Sequence, residues 1–255
     1  MLFETQRHRH HHEVHEAGFT DAWRTLLATT MAHWELLDDD ERHRLGERAV
    51  DFMAAKRWEA AKGFDMSDEV TMLISAEASL ITLELADDAY RGVNTIIVHP
   101  TTMVMRGQHS QVQGVVSDDP MPIIGQANHN GPVMVAWDAA RFQARHPEEG
   151  NNVVFHEFAH KLDMLTGTAN GTPPMESPEF ETAWVSACTA AYERVVDGRS
   201  KVLRSYAGVN TAEFFAVATE VFFDTPHPMA THEPDLYAVL ADWYRQDPAR
   251  RQARN

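Results

Sequence analysis

Apolar residues in the first third of the chain recur at helical intervals. Between Phe19 and Leu85 they return every three, four, or seven to eight positions, which is the spacing of one buried helix face. The acidic run Asp38–Glu41 stands where the first turn of a helix favours negative charge. Val70–Leu85 is mostly apolar over a length that suits a buried helix. The pattern predicts a layer of helices that serves as scaffold.

The middle of the chain changes to short β-branched runs separated by turn-forming residues. Four segments there predict strands: Asn94–Val98, Val112–Val116, Ile123–Ile124 and Val133–Trp137. Helical character returns from Val153, and no linker rich in Gly, Ser or Pro divides the rest. The fold class predicted is therefore α+β, with an N-terminal helical layer, a small central mixed sheet and a helical C-terminal half.

The first 18 residues follow neither period. Five of them are histidines, at positions 8, 10, 11, 12 and 15. A tract of this composition can bind transition metals without any folded site. We predict a flexible His-rich tail over residues 1–18, followed by a single domain over residues 19–255.

Charge and cysteine content exclude several classes of protein. The chain carries 22 Lys and Arg against 38 Asp and Glu, a net charge of −16, which would repel nucleic acid and anionic membranes. Its one cysteine, Cys188, rules out an internal disulfide and any multi-cysteine metal cluster. No apolar run has the length of a membrane span and the N-terminus is unlike a signal peptide, so we expect a soluble cytoplasmic protein.

The motif with the most chemical content is His-Glu-x-x-His at positions 156–160. On a helix, residues four apart share a face, so His156 and His160 can direct both imidazoles at one ion. Glu157 is placed to reach a water molecule on that ion rather than the ion itself. Zinc in such a site lowers the pKa of the water, and the glutamate takes its proton as it attacks a carbonyl.

The third protein ligand distinguishes the classes of zinc peptidase. A metzincin needs Gly and His where this chain has Asp163 and Thr166, so that class is excluded. A gluzincin uses a glutamate from a later helix, and the apolar segment 211–223 contains two, Glu213 and Glu220. Seven residues separate them by about 10 Å along a helix, so both cannot bind the same ion. Spacing alone leaves the choice between them open.

The chain resembles the MtfA family, the Mlc titration factor A peptidases. The segments that carry the resemblance are Leu37–Leu85, Gly131–Asp138, Asn152–Asp163, Tyr206–Phe223, Pro234–Tyr237 and Gln246–Pro248. The resemblance covers nearly everything after about residue 19 and leaves out the His-rich tail. Members of this family are gluzincin-like and similar in their catalytic core to anthrax lethal factor, which implies a zincin-like fold.

The resemblance also implies roles for individual residues. The family has a tyrosine seven residues before its glutamate ligand, and here Tyr206 and Glu213 have that spacing. By this match, His156, His160 and Glu213 hold one zinc ion per chain, and Glu157 is the general base. Tyr206 then donates a hydrogen bond to the oxyanion.

Two further carboxylates are candidates for orienting the ligands. Asp163 follows His160 by three positions, on the metal-facing side of the helix, where it could hold an imidazole N–H. The alternative is that it caps the turn at residues 166–168. Glu220 could orient a ligand from the other helix, or serve as a paired structural glutamate.

A strand also has two interpretations. By resemblance, Val133–Trp137 is an edge strand that pairs with an extended peptide substrate. An ordinary strand of the sheet is the alternative.

Two functions from different classes fit these observations. The first is a zinc metallopeptidase, which the family suggests is aminopeptidase-like on short peptides. The second is a regulatory protein that binds and sequesters a transcriptional repressor of the Mlc type. A deformylase-like hydrolase would need a cysteine ligand upstream of the motif, whereas Cys188 lies downstream.

Overall fold

The N-terminal half of the fold is mostly helical, as the hydrophobic pattern predicts. A computed structural model describes residues 17–61, 63–101 and 131–252. The helices of this half are α1 (Asp21–Thr30), α2 (Asp39–Ala55) and α3 (Asp68–Ile81), with a 3-10 helix at Ala32–Leu36. Only Ala17 and Gly18 of the predicted tail are among the described residues.

Local sequence signals explain where two of these helices lie. The acidic run forms a capping box at the start of α2: Glu41 N donates to Asp38 Oδ1 at 2.9 Å, and Asp38 N donates to Glu41 Oε2 at 3.0 Å. Every residue of α3 from Val70 to Ile81 is buried, including Glu77. A helix that is apolar on all sides packs in the interior, and α3 does so.

A short strand interrupts the segment that the periodicity assigns to helices, and this corrects the prediction. β1 (Arg57–Ala60) directly follows α2, and Trp58 is buried with its indole Nε1 donating to Met53 O at 3.0 Å. Four residues are too few to establish a period of two against the helical spacing around them. The backbone partners of β1 lie far away in sequence, so local pattern could not reveal it.

The sheet has three described strands, all parallel. β2 (Thr95–His99) lies between β1 and β3 (Val133–Ala136), with Trp58 opposite Ile96 and Ile96 opposite Val133. Trp137, predicted as the end of the last strand, instead begins a helix. The predicted strands Val112–Val116 and Ile123–Ile124 lie outside the described residues, so the mixed sheet that they would complete stays a prediction.

The C-terminal half is helical. It contains α4 (Trp137–Gln143), α5 (Val153–Asp163), α6 (Pro178–Val196), α7 (Thr211–Asp224), α8 (Pro226–His232), α9 (Pro234–Tyr244) and α10 (Pro248–Gln252), with 3-10 helices at Pro147–Glu149, Met164–Thr166 and Ser205–Gly208. α5 contacts α3, α7 and β3, so it lies at the centre of the fold. Within the described ranges, no helix combines the length and apolar character that crossing a bilayer requires.

Aromatic packing holds α5 in place from two directions. Phe158 packs edge-on against Phe52 and Tyr90, with ring centroids 5.5 and 5.0 Å away. Phe155 packs against Phe223 of α7 at 5.5 Å. Burying a side chain of this size contributes about 1.5–3 kcal/mol, so these contacts fix the helix that carries the His-Glu-x-x-His motif.

Candidate metal centre

The two histidines of the motif meet on one face of α5. The helix begins at Asn152, whose Oδ1 accepts hydrogen bonds from Val154 N and Phe155 N, both at 3.0 Å. One turn apart on this helix, His156 and His160 have ring centroids 4.8 Å apart, and their Nε2 atoms are separated by 3.2 Å. Both imidazoles are buried.

Helix α7 brings a carboxylate to the same point. Asn210 caps this helix, its Oδ1 accepting from Glu213 N at 2.9 Å, and all residues from Glu213 to Asp224 are buried. Glu213 Oε2 lies 3.1 Å from His156 Nε2 and 3.6 Å from His160 Nε2. The ligand atoms of the three side chains all lie within 4.8 Å of one another, so together they could hold a metal ion.

The second glutamate of α7 contacts the opposite side of the first histidine. Glu220 Oε1 lies 2.8 Å from His156 Nδ1 and accepts from Arg204 Nη2 at 2.6 Å. Its other oxygen, Oε2, accepts from Asn152 N at 2.7 Å. The two glutamates that spacing left open therefore occupy different positions: Glu213 lies close to both imidazoles, and Glu220 contacts the Nδ1 side of His156.

This arrangement fits a bound cation. A carboxylate at 2.8 Å calls for a proton on His156 Nδ1, which leaves a lone pair on Nε2. That lone pair faces His160 Nε2 and Glu213 Oε2, and the latter is buried without a hydrogen-bond partner among the described residues. Two imidazole nitrogens and a carboxylate oxygen this close together need a positive charge between them, either a proton or a metal ion, so the residues present suit a divalent metal ion.

The pKa shifts of these side chains also favour a positive charge at the centre of the cluster. Burial would lower the pKa of His156, but the facing carboxylates of Glu213 and Glu220 raise this pKa to about 10. Burial would raise the pKa of Glu213, but the two imidazoles hold this pKa at about 2. The carboxylates therefore stabilise a cation, and a proton on the imidazole competes with a metal ion for the same place.

The remaining motif residue and the predicted tyrosine lie beside this cluster. Glu157 is partly buried, and burial raises its pKa although His156 and His160 oppose the shift. Tyr206 lies in the 3-10 helix before α7, with its ring centroid 6.1 Å from that of His156. Burial and the Glu213 carboxylate raise the pKa of Tyr206, so its hydroxyl keeps its proton at neutral pH and can donate a hydrogen bond.

Asp163 contacts a loop that neither sequence alternative included. Its Oδ2 accepts from Gly171 N at 2.8 Å, in the loop before α6, and its backbone carbonyl accepts from Thr166 Oγ1 at 3.3 Å. That Asp163 orients a metal ligand stays a prediction. Gly171 has a φ of 78°, and a Cβ there would lie 2.5 Å from Thr211 O. The hydrogen bond from Gly171 N is a tertiary contact, through which Asp163 connects the end of α5 to a loop that packs tightly on the start of α7.

Strand β3 lies beside the metal-facing helix. Lys161 of α5 donates from Nζ to Gly131 O at 2.8 Å, just before β3 begins, and α5 contacts the strand directly. That this strand pairs with an extended substrate remains a prediction.

Three residues near the cluster were missed from sequence. Asn152, directly before the motif helix, carried a signal, since Asn is a preferred helix N-cap. Glu77 carried another, as a glutamate within an otherwise apolar helix. Arg204 carried none, because its contact with Glu220 depends on how the loop before Tyr206 folds back.

Comparison with known proteins agrees with a metal-dependent function. Residues 3–245 match the Glucose-regulated metallo-peptidase M90 family. Mlc titration factor A of Serratia proteamaculans is 30% identical over 90% of this chain and 93% of its own, and that of Edwardsiella ictaluri is 32% identical over 84% of each. An uncharacterized protein of Synechocystis is 29% identical over 89% of this chain and 84% of its own. The family match starts at residue 3 and so includes the His-rich segment that the resemblance left out.

Proposed function

The chain belongs to the Glucose-regulated metallo-peptidase M90 family, and we propose that it is a zinc-dependent peptidase of the gluzincin type. The observation that carries the proposal is the convergence of His156, His160 and Glu213 on one point. Two imidazole nitrogens and one carboxylate oxygen are a ligand set that zinc uses in catalytic sites, with a fourth position left for water or substrate.

In the proposed hydrolysis, the metal ion and the side chains of this protein have different tasks. Zinc, when bound, lowers the pKa of a water molecule and polarises the scissile carbonyl. Glu157 accepts the proton of that water as the oxygen attacks the carbonyl carbon, and then delivers the proton to the leaving amine. Its raised pKa suits this exchange, because a carboxylate that is too acidic would hold the proton too weakly.

Tyr206 stabilises the oxyanion in this mechanism. As the carbonyl becomes tetrahedral, negative charge develops on its oxygen, and a preorganised donor in a buried site lowers the energy of that state. The phenol hydroxyl is protonated at neutral pH, because burial and the nearby Glu213 carboxylate raise the pKa of Tyr206. Arg204, whose guanidinium carbon lies 6.0 Å from the centre of the tyrosine ring, supports it by a cation–π contact.

The substrate class follows from the family resemblance. We infer aminopeptidase-like hydrolysis of short peptides, with the peptide extended along β3. A panel of aminoacyl and blocked chromogenic peptides tests this, since an aminopeptidase cleaves the free-amine members and leaves the blocked ones intact.

The Glu157→Gln variant tests the mechanism. Gln has nearly the same shape but cannot accept the proton, so we expect hydrolysis to fall about 10²–10⁴-fold while metal binding is retained. Glu181→Gln, at an exposed position on α6, is the matched control and should keep full activity. Hydrolysis that persists in Glu157→Gln would show that another group takes the proton.

A second function is supported by the names of the relatives. Two of them are Mlc titration factors, so we propose that this chain also binds a repressor of the Mlc type. The Glu157→Gln variant separates the two functions, because it should bind a purified Mlc-type repressor as well as the wild type does. Absence of binding by both proteins would reject the regulatory function and leave the peptidase.

A further inference from the structure

We propose that Asn152 is a positioning residue that locks His156 and its carboxylate partner Glu220 into one rigid unit. The residue directly precedes α5 and is completely buried. Its backbone carbonyl accepts from His156 N at 2.9 Å, and its backbone N–H donates to Glu220 Oε2 at 2.7 Å. One residue therefore bonds to the backbone of His156 and to the carboxylate of Glu220, the two residues of the imidazole–carboxylate pair. The inference rests on the proposed function, since it concerns the orientation of a metal ligand.

The side chain of Asn152 fixes this backbone through its amide. Its Oδ1 accepts from Val154 N and Phe155 N at the start of α5, so its Nδ2 must point the other way. There Nδ2 donates to Glu77 Oε1 at 2.7 Å. A flipped amide would set N–H groups against N–H groups at the helix start and oxygen against oxygen at Glu77, so one orientation is strongly preferred.

Glu77 is the anchor of this orientation. It comes from α3, is completely buried, and its other oxygen, Oε2, has no hydrogen-bond partner among the described residues. A buried carboxyl group is costly, and its one hydrogen bond here is the bond to Asn152. Oε1 can accept that bond whether or not the group is ionised, so the contact does not depend on pH.

Asn152 therefore connects three helices, α3, α5 and α7. α3 supplies the acceptor, α5 begins at the amide, and α7 supplies the carboxylate that sets the tautomer and ring angle of His156. If the amide is removed, the start of α5 loosens and Glu220 loses a fixed donor. The imidazole then samples angles that do not bind the ion. Groups that orient a metal ligand in this way typically contribute 10–100-fold to metal affinity.

The first test measures zinc affinity of the full chain by competition with a chelator. Asn152→Ala is expected to weaken it about 10-fold relative to wild type. Ser177→Ala is the matched control: Ser177 caps α6 through a hydrogen bond from Phe180 N at 3.1 Å, and α6 carries none of the three proposed ligands. This control should lower Tm and leave zinc affinity unchanged. The His-rich segment is identical in all variants, so differences report the folded site.

A second pair of variants separates positioning from simple stability. Glu77→Gln keeps an oxygen acceptor for Asn152 Nδ2 and should hold zinc affinity within about 2-fold of wild type. Glu77→Leu removes the acceptor and should weaken the affinity about as much as Asn152→Ala does. The visible spectrum of the cobalt-substituted protein provides an independent readout of ligand geometry, and it should change in Glu77→Leu but not in Glu77→Gln.

Several results would overturn the inference. One is zinc affinity unchanged in a folded Asn152→Ala protein; another is Glu77→Gln as weak as Glu77→Leu. If Asn152→Ala does not fold, the two Glu77 variants decide the matter, because both keep the Asn152 cap and differ in whether Asn152 Nδ2 has an acceptor. Equal zinc affinity in Glu77→Gln and Glu77→Leu would then reject the role of Glu77. A Glu213→Ala protein tested in parallel shows whether the proposed metal site itself has failed.

Discussion

Helix α7 contributes a carboxylate to each of two buried histidine contacts, at opposite ends. At its N-terminal end, Glu213 Oε2 lies 3.1 Å from His156 Nε2, and at its C-terminal end Asp224 Oδ1 lies 3.2 Å from His33 Nε2. All four side chains are buried. Distance and burial therefore do not distinguish the two contacts.

The two contacts differ in whether a third metal-binding side chain lies beside them. At the first contact, His160 brings a further nitrogen to 3.6 Å from Glu213, and Glu220 Oε1 lies 2.8 Å from His156 Nδ1. At the second, the nearest ring is Phe155, whose centroid lies 5.3 Å from that of His33. No third metal-binding side chain joins His33 and Asp224 in the part of the chain that the structure describes. The candidate metal site is therefore distinguished by its third ligand atom and not by a buried His–carboxylate contact.

The largest expected effect comes from removing a histidine at each contact. His160→Ala takes away a proposed ligand, so we expect zinc to be lost and peptide hydrolysis to fall to the level of the blank. His33→Ala should keep zinc and hydrolysis, with the free energy of unfolding lowered by about 2 kcal/mol because Asp224 loses its partner. Zinc analysis, a peptidase assay and urea unfolding measure the three quantities. Loss of zinc in His33→Ala would contradict the distinction.

A smaller effect is expected from the phenol beside the first contact. Tyr206→Phe removes the donor to the oxyanion and should lower kcat about 10²–10³-fold with zinc content unchanged. Tyr244→Phe is the control, since that buried hydroxyl pairs with Thr219 Oγ1 at 2.7 Å and not with a proposed ligand. If Tyr206→Phe changed KM alone, the hydroxyl would bind substrate rather than the transition state.

The smallest effect concerns pH at the second contact. Burial raises the pKa of Asp224 from 3.8 to about 6, although His33 opposes the shift. Between pH 4 and 6 the folded state thus binds more protons than the unfolded chain, and stability falls as pH rises through this range. Asp224→Asn lacks the group, so from pH 4 to 7 its unfolding free energy should improve relative to wild type by up to about 3 kcal/mol.

Urea unfolding of metal-free protein at pH 4.5 and pH 7 measures this change. Metal must be absent at both values, because zinc loss at low pH would add its own slope. A difference between wild type and Asp224→Asn that stays constant with pH would mean that Asp224 titrates at its ordinary pKa.

Local geometry explains how far sequence could describe the site. His156, Glu157 and His160 are set by the pitch of one helix, so spacing alone predicts that the two imidazoles share a face. Glu213 and Glu220 also share a face, and choosing between them required either a family resemblance or the packing of α7 on α5. The period of a sequence pattern predicts which face of a helix a residue occupies. It does not predict which residues of other elements pack against that face.

The features that the sequence did not predict share one cause, because each depends on contacts between separate segments of the chain. β1 was missed because its hydrogen-bond partners lie in β2, far along the chain. The carboxylate of Asp163 accepts from Gly171 N in the loop before α6, a contact that no spacing rule could predict. Asn152 and Glu77 are 75 residues apart and meet only in the folded protein.

The metal content of the purified full chain shows whether His156, His160 and Glu213 hold an ion. Mass spectrometry of the wild type and of Glu213→Ala, both reconstituted with zinc and then dialysed against a weak chelator, gives the number of ions that each retains. Because both proteins share the same His-rich segment, the difference between them belongs to the folded site. We expect Glu213→Ala to retain one zinc ion fewer per chain than the wild type. Equal zinc content in the two proteins would contradict it.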